Sequence, residues 1–326
     1  MHNCRVGYQE YRPTMANIVI IGGGLTGLAA AYELEKQRIS YTLIEIKGRL
    51  GGSIASERRS GFVLDSGLMA IPGSGDWPIL SELGLADAVY PLPDQPDGDN
   101  FAFKDGTQSL VDALARRLTR KIMFRMAVSS LGQMDNQFTI CLENGLMLTA
   151  SALIVAAPAR YAERMFRSLQ PEIAERLANY HYDTIMRVSL GYRCDDIPFP
   201  PELPWDMGFA SLHWTDHPSR VPPGHVLMQL GVRVPFNQTA PDALVSTLRA
   251  ELGWPQPVVT RVGYWPEADP LTCRMPGHQE NMDAIERLLP DRVALVGSDY
   301  RAQHCQERIE QGRATAHKFG VMLRQK

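Results

Sequence analysis

Gly22, Gly24 and Gly27 stand at G-x-G-x-x-G spacing within ANIVIIGGGLTGLAAAYELEK, the stretch from Ala16 to Lys36. Glycines so placed divide one task between them. The first permits a tight turn, the second lets backbone approach a pyrophosphate, and the third lets a helix pack closely on a strand. The pyrophosphate would rest on the free N–H groups at the helix N-terminus, where Leu25 and Thr26 lie. Glu45 adds the second half of the pattern, ending SYTLIE eighteen residues after Gly27. A carboxylate there accepts hydrogen bonds from both ribose hydroxyls of an adenosine and repels a 2′-phosphate.

These residues need a strand–turn–helix unit beneath them. NIVIIGGG reads as a short buried parallel strand, β-branched and uncharged, running into a turn. LTGLAAAYELEKQ reads as a helix with small residues on its inner face. No charge occurs between Arg12 and Glu33, but the glycines interrupt the apolar run after Ile21, which makes poor membrane-spanning material. Residues 1–14 read as a polar N-terminal extension preceding a second methionine, Met15.

The chain has 326 residues, enough for two lobes, with 44% hydrophobic residues, 21% charged residues and a net charge of -3. That balance argues against a nucleic-acid partner. The basic stretch Arg116, Arg117, Arg120, Lys121 and Arg125 reads as the wet face and C-terminal end of a helix. Cys4, Cys141, Cys194, Cys273 and Cys305 are odd in number, scattered and without a C-x-x-C pair. Neither a disulfide framework nor a zinc site is expected, and a reducing cytoplasmic compartment is.

Directly after Glu45 comes IKGRLGGSIASERRSGFVLDSG, with a second glycine pair, Gly51–Gly52, that a nicotinamide dehydrogenase does not need. Here the chain resembles the flavin-containing amine oxidase superfamily. That group carries an acidic residue, an arginine, a Gly-Gly pair and then G-F-x-x-D-x-G. Glu45, Arg49, Gly51, Gly52, Gly61, Phe62, Asp65 and Gly67 match in order. The resemblance implies FAD, with Arg49 and the Gly51–Gly52 backbone along its pyrophosphate and ribityl chain. Ser53 stands where the family has Arg or Lys. No covalent cysteine attachment motif is visible, so the FAD is expected to be held non-covalently.

The resemblance continues in DGTQSLVDALARRL, which looks like the family's G-G-x-x-x-L-x-x-x-L segment. Leu110, Leu114 and Leu118 at four-residue spacing predict an amphipathic helix there. KIMFRMAVSSL reads as one strand, and by resemblance the Val128 backbone pairs with the adenine. ALIVAAPARYAERMF resembles the A-x-P crossing out of the FAD domain.

YWPEADPLTCRMPGH followed by DRVALVGSDYRAQHCQERIEQGRATAHKF looks like the end of the protoporphyrinogen oxidases. Trp265, Ala268, Pro270, Gly277, His278, Gly297, Tyr300, Ile309, Gly312 and Ala316 follow that pattern. RVALVG reads as a last parallel strand and ERIEQGRATAHKF as a helix whose N-terminus points at the flavin's pyrimidine edge. Gly312 lets this helix pack closely, Ile309 lies along the cofactor, and Ser298 or Asp299 bonds the ribityl hydroxyls. His304, Gln306, Glu307 and Arg308 are bulky where the family has small residues. Only Met69 to Lys104 stands where those oxidases carry a long helical insertion, and this piece reads as loop plus one short helix. In size the chain is similar to the renalase-like proteins.

The implied fold is α/β: a Rossmann-like FAD-binding domain with a parallel sheet, and a smaller substrate domain with a mixed or antiparallel sheet. Residues 15–75, 105–160 and 285–326 are assigned to the first, 76–104 and 161–284 to the second. TIMRVSLGYR, HVLMQLGVRV and PVVTRVGYW are its strands. Trp205, Trp214, Tyr264 and Trp265 either line an apolar pocket there or pack the sheet. No dyad or triad is visible, and flavin oxidation needs little beyond placing the substrate C–H at N5 and excluding water. His213, His217, His225, His278 and His304 lack metal-ligand spacing, so no metal is expected. His278, inside the matching motif, and Trp265 are the catalytic candidates. Amine oxidases of the superfamily often place a lysine near N5, yet none of the six lysines lies between 161 and 284.

The implied function is FAD-dependent oxidation of a small organic substrate, with hydride passing to N5 and oxygen or another diffusible acceptor reoxidising the flavin. Two alternatives share the architecture: a renalase-like dihydronicotinamide oxidase, and a flavin-free binding protein of the GDP-dissociation-inhibitor kind.

Overall fold

The computed structural model describes residues 14–198, 208–234 and 241–325. Its main sheet is built on the strand Thr14–Ile21, which pairs in parallel with Tyr41–Glu45 on one side and Met147–Val155 on the other. Lys121–Phe124 extends the sheet in parallel beyond Tyr41–Glu45. The long strand Met147–Val155 serves two partners in turn. Its first half takes an antiparallel hairpin of Gln137–Leu142 and Val128–Met134. Its last three residues pair in parallel with Val293–Leu295. Ile18, Val19, Ile20 and Ile21 are all buried, as a parallel strand covered on both faces requires. Ile18 and Ile20 face the helices Leu25–Gln37, Gln108–Ala115 and Cys305–Arg324. Val19 and Ile21 face the hairpin and the helices Ala159–Phe166, Pro171–Ala178 and His278–Leu288. The alternation follows from the two-residue period of a strand.

A second sheet is antiparallel, in the order Phe209–Thr215, His225–Val234, Tyr182–Arg193, Val259–Pro270. It holds the three strands expected from sequence and a fourth, Phe209–Thr215. The architecture is thus the expected one: a Rossmann-like sheet with an antiparallel sheet beside it. The hairpin Ser56–Arg59/Phe62–Asp65 joins them. A Cβ on Gly191 would stand 2.6 Å from the Phe62 ring, so the hairpin seats directly on the second sheet.

Three expectations change in detail. KIMFRMAVSSL forms two strands, because Arg125 adopts a positive φ of 55° between them. The Arg125 N–H donates to the Lys47 carbonyl and the Met126 N–H to that of Glu45, both at 3.1 Å. The chain therefore turns across the end of Tyr41–Glu45 and carries Val128 alongside Glu45. The helix expected through Leu118 ends at Ala115, with Leu110 and Leu114 buried on its inner face. Met69 to Lys104 holds the short helix Pro78–Leu83 and also a three-stranded sheet of Ile71–Pro72, Asn100–Phe103 and Val89–Leu92. Strands of two to four residues are too short to show a period. Trp205 lies outside the described residues. Among those described, no helix is long and apolar enough to cross a membrane.

Candidate functional site

A cavity of about 740 Å³ lies between the C-terminal edge of the main sheet and the strand Val259–Pro270. Gly22 and Gly24 are on its wall. Gly22 has φ +106°, and a Cβ there would stand 2.6 Å from the Ala156 carbonyl oxygen. Gly24 is the N-cap of the first helix, whose first turn no side chain caps. A Cβ on Gly24 would meet nothing within 4 Å, so its missing side chain keeps the cavity open. Leu25 and Thr26 follow on the wall. Gly27 is not on it: a Cβ there would overlap the Gly22 carbonyl, so this glycine serves the packing of turn against helix.

Glu45 is buried at the cavity edge. Its Oε2 accepts the Gly23 N–H and its Oε1 accepts the Lys47 N–H, each at 2.7 Å. Each carboxylate oxygen keeps acceptor capacity for a further hydroxyl donor. The Arg49 guanidinium donates to the carbonyls of Leu50, Ile54 and Gly52 at 3.1, 2.8 and 2.9 Å. It thereby ties the loop that presents Gly51 and Gly52, both at positive φ. The Gly51 N–H donates to the Gly23 carbonyl at 2.8 Å, and a Cβ on Gly52 would stand 3.3 Å from the Gly24 Cα. The two glycine loops are therefore in contact. Ser53 lies beyond them on the wall, its carbonyl accepting the Ser66 hydroxyl at 3.1 Å.

Val128 lines the end beside Glu45, and Gly297, Ser298 and Asp299 line the opposite wall. Gly297 has φ +126°, and its N–H donates to Gln311 Oε1 at 2.8 Å. Asp299 is almost fully enclosed and takes three internal donors: the Ala159 N–H at 2.9 Å, the Ser298 hydroxyl at 2.9 Å and the Tyr182 hydroxyl. Burial holds the Asp299 carboxyl above the usual carboxylate range, against the pull of those bonds. Burial, together with the neighbouring Asp299, pushes the Tyr182 hydroxyl well up, so it stays protonated and donates.

The catalytic candidates separate. Trp265 is on the cavity wall together with Tyr264. His278 is buried away from it, with Nε2 2.8 Å from the Tyr300 carbonyl oxygen and Nδ1 without a partner among the described residues. Ile309 is in the core, and Trp214 lies inside the second sheet. No group of three His, Cys, Asp or Glu stands together as a metal cluster among the described residues.

The cavity also brings in residues the motifs did not single out. Lys47 Nζ stands 3.5 Å from the centroid of the Trp265 ring. Burial, and secondarily Arg49, hold its ammonium below the ordinary lysine range. Glu267 accepts from Arg160 and Tyr161, each at 3.0 Å. Arg308 is the residue of the last helix on the wall. Lys47 was within reach of sequence reasoning, two positions past an acidic residue whose strand end lines the cavity. Glu267 depends on tertiary placement and left no local signal, while Arg308 showed in the sequence only as a bulky residue where the family has small ones.

The last helix begins at Cys305, and the Glu307 Oε2 accepts the N–H groups of Gln303 and His304, just ahead of it, at 2.9 and 3.0 Å. A carboxylate thus stands at the positive end of the helix dipole.

Residues 92–317 match the family described as flavin containing amine oxidoreductase, and residues 20–83 match the NAD(P)-binding Rossmann-like domain. Protoporphyrinogen oxidase 1 of Spinacia oleracea chloroplasts is 25% identical over 240 residues, covering 63% of this chain and 42% of that protein. Coproporphyrinogen III oxidase of Bacillus subtilis is 40% identical over 57 residues, covering 16% of this chain and 12% of that one. The aligned stretches thus take in less than half of these curated relatives. Among solved structures, a putative protoporphyrinogen oxidase from Exiguobacterium shares the fold with a TM-score of 0.79 at 14% identity, covering 95% of this chain and 99% of that one. Cyclohexylamine oxidase from Brevibacterium oxydans does so with a TM-score of 0.76 at 14% identity and the same coverage. The matched segment takes in well over half of the sequence, and the chain belongs to the flavin-containing amine oxidoreductases, a family of enzymes whose cofactor is FAD.

Proposed function

We propose that this chain is an FAD-dependent oxidoreductase acting on a small organic substrate, with oxygen or another diffusible acceptor taking the electrons onward. The observation that carries the proposal is the convergence on one cavity of two touching glycine loops, an uncapped helix start, Glu45 and the Gly297–Asp299 wall. The residues present fit the cofactor. Gly22, Gly24, Leu25 and Thr26 would take the pyrophosphate on backbone donors, Glu45 the adenosine ribose, and Val128 the adenine. Arg49 holds Gly51 and Gly52 in place for the rest of the molecule, with Ser53, Gly297, Ser298 and Asp299 around the ribityl chain. Gly27 and Ile309 act by packing. In this reading residues 15–75, 105–160 and 285–326 form the cofactor lobe, and 76–104 with 161–284 the substrate lobe.

When bound, FAD supplies a two-electron acceptor at N5. The protein's own work is to orient the substrate and keep water out. Tyr264 and Trp265 face the cavity from the substrate-lobe strand and serve that end. His278 contributes from behind, bonded to the Tyr300 carbonyl, whose chain runs on from the Gly297–Asp299 wall. Flavin-loaded protein should be mixed anaerobically with amines, with porphyrinogens and with NADH isomers. Bleaching of the visible flavin band by one of these supports the reading, and rapid reduction only by the non-standard NADH isomers selects the renalase-like alternative. A chain that takes up no flavin yet captures a protein partner would favour the flavin-free binding protein.

A further inference from the structure

Gln229 stands midway along the strand His225–Val234. Leu227, on the same face by the two-residue period of a strand, packs with Phe62, Leu64 and Met69. The Gln229 side chain is buried, and its amide reaches two backbone groups of one short loop. Its Oε1 accepts the Met69 N–H at 2.8 Å, and its Nε2 donates to the Asp65 carbonyl at 3.1 Å. An N–H and a carbonyl have fixed polarity, so the amide fits only one way round. Nε2 also lies 3.4 Å from Ser189 Oγ, which is itself 3.4 Å from the Asp65 carbonyl oxygen.

The loop so held, Ser66 to Leu68, passes between the loop of Ser53 and the strand Val259–Pro270. The Ser66 hydroxyl donates to the Ser53 and Ala55 carbonyls at 3.1 Å each, and the Ser66 N–H to that of Ala55 at 2.8 Å. On the other side, a Cβ on Gly263 would stand 2.4 Å from the Ser66 carbonyl oxygen. Ser53, Ser66 and Gly263 all line the cavity. Thr107 Oγ1 donates to the Leu68 carbonyl at 2.9 Å. A displacement of this loop therefore displaces the cavity wall, and Gln229 bonds both of its ends.

We propose, resting on the FAD reading, that Gln229 is a positioning residue for the bound flavin. It sets where Ser66–Leu68 stands, next along the wall from the Ser53 that borders the ribityl chain in that reading, and so how closely the wall meets the flavin ring.

The test compares FAD affinity, by fluorescence quenching, and the visible spectrum of the bound flavin in three variants. Gln229→Met removes both backbone bonds while filling a similar space; FAD affinity is expected to fall roughly tenfold, with a shifted flavin band. Leu230→Ala, next in the strand but in the core of the opposite sheet face, lowers the melting temperature and leaves affinity and spectrum unchanged. Gln229→Glu gives a signature that lost stability alone does not. Protonated, the introduced carboxyl donates and accepts as the amide does; ionised, it only accepts and faces the Asp65 carbonyl oxygen. Its FAD affinity is expected to match wild type near about pH 5.5 and to be roughly tenfold weaker near about pH 8.5. Wild type measured at each pH accounts for the other charged groups there. These are His213, opposite Gln229 in register and bonded to Asp97, Arg187 and Arg261 on the same face, Glu57 beside Arg261, and the Asp65–Arg220 pair.

A Gln229→Met protein that melts lower yet keeps wild-type affinity and spectrum overturns the proposal, as does a Gln229→Glu protein whose affinity follows wild type at every pH. Should Gln229→Met fail to fold, the pH series of Gln229→Glu decides alone. A wild-type chain that takes up no FAD defeats the flavin reading and this inference with it; wild-type uptake with unaffected variants defeats this inference alone.

Discussion

Gly312, in the last helix, lies directly on the first: a Cβ there would overlap the Thr26 carbonyl oxygen and stand 3.2 Å from the Ala30 backbone nitrogen. Two helices from opposite ends of the chain are thus held at backbone contact, and both contribute to the cavity wall, Leu25 and Thr26 from one and Arg308 from the other. Gly312→Val forces them apart. A loss of about 1–3 kcal/mol is expected from overpacking, together with poorer flavin retention. Thermal melts with and without FAD check this, and an unchanged melting temperature would contradict the contact.

Asp65, of the G-F-x-x-D-x-G segment, pairs with Arg220 at 2.6 Å with both side chains essentially sealed from solvent. Asp65 also accepts the Thr107 N–H at 2.9 Å, and Arg220 donates to the carbonyls of Phe103 and Val63 at 2.8 and 3.0 Å. Replacing Arg220 by Met leaves the carboxylate uncompensated, and a loss of about 3–5 kcal/mol is expected in urea unfolding. A change below 1 kcal/mol would mean the pair contributes little.

Glu45→Ala removes the acceptor for the Gly23 and Lys47 N–H groups and the proposed ribose contact. FAD affinity is expected to fall about 10- to 100-fold, the range for a bond to a charged group. Fluorescence quenching of FAD by the variant measures it, and wild-type affinity would remove Glu45 from the cofactor site.

His213 is buried, with Nε2 2.9 Å from Asp97 Oδ2. Burial holds its folded pKa below 6.5; Asp97 opposes this, and Arg187 adds to it. A depressed folded value means the unfolded chain binds more protons near pH 6. The stability contribution is therefore full above about pH 6.5 and declines as pH falls from there through the lower folded value. Urea midpoints between pH 5 and 7.5 should slope more steeply in wild type than in His213→Gln; equal slopes would exclude His213 as a source.

The glycine wall of the cavity was legible because it rests on backbone requirements that only glycine meets. Gly22, Gly51, Gly52 and Gly297 all take positive φ, and spacing alone exposes such positions. Glu45 was legible because it ends the strand that follows the glycine turn and its helix. The break at Arg125 was not, since the positive φ there is set by hydrogen bonds to Lys47 and Glu45 backbone brought close by the fold. The dipole of the last helix was read from its direction, while the return of Glu307 to the Gln303 and His304 N–H groups depends on side-chain placement. Burial of His278 was equally out of reach, because the motif gives its neighbours in sequence and not in space.

The most direct measurement is the cofactor itself. Purified protein saturated with FAD, desalted and denatured with acid should release one FAD per chain, identified by mass and visible spectrum, with none left on the polypeptide. A chain that keeps no flavin after saturation, or releases a different nucleotide, would contradict the central claim that the Gly22–Gly27 and Gly51–Gly52 loops enclose FAD.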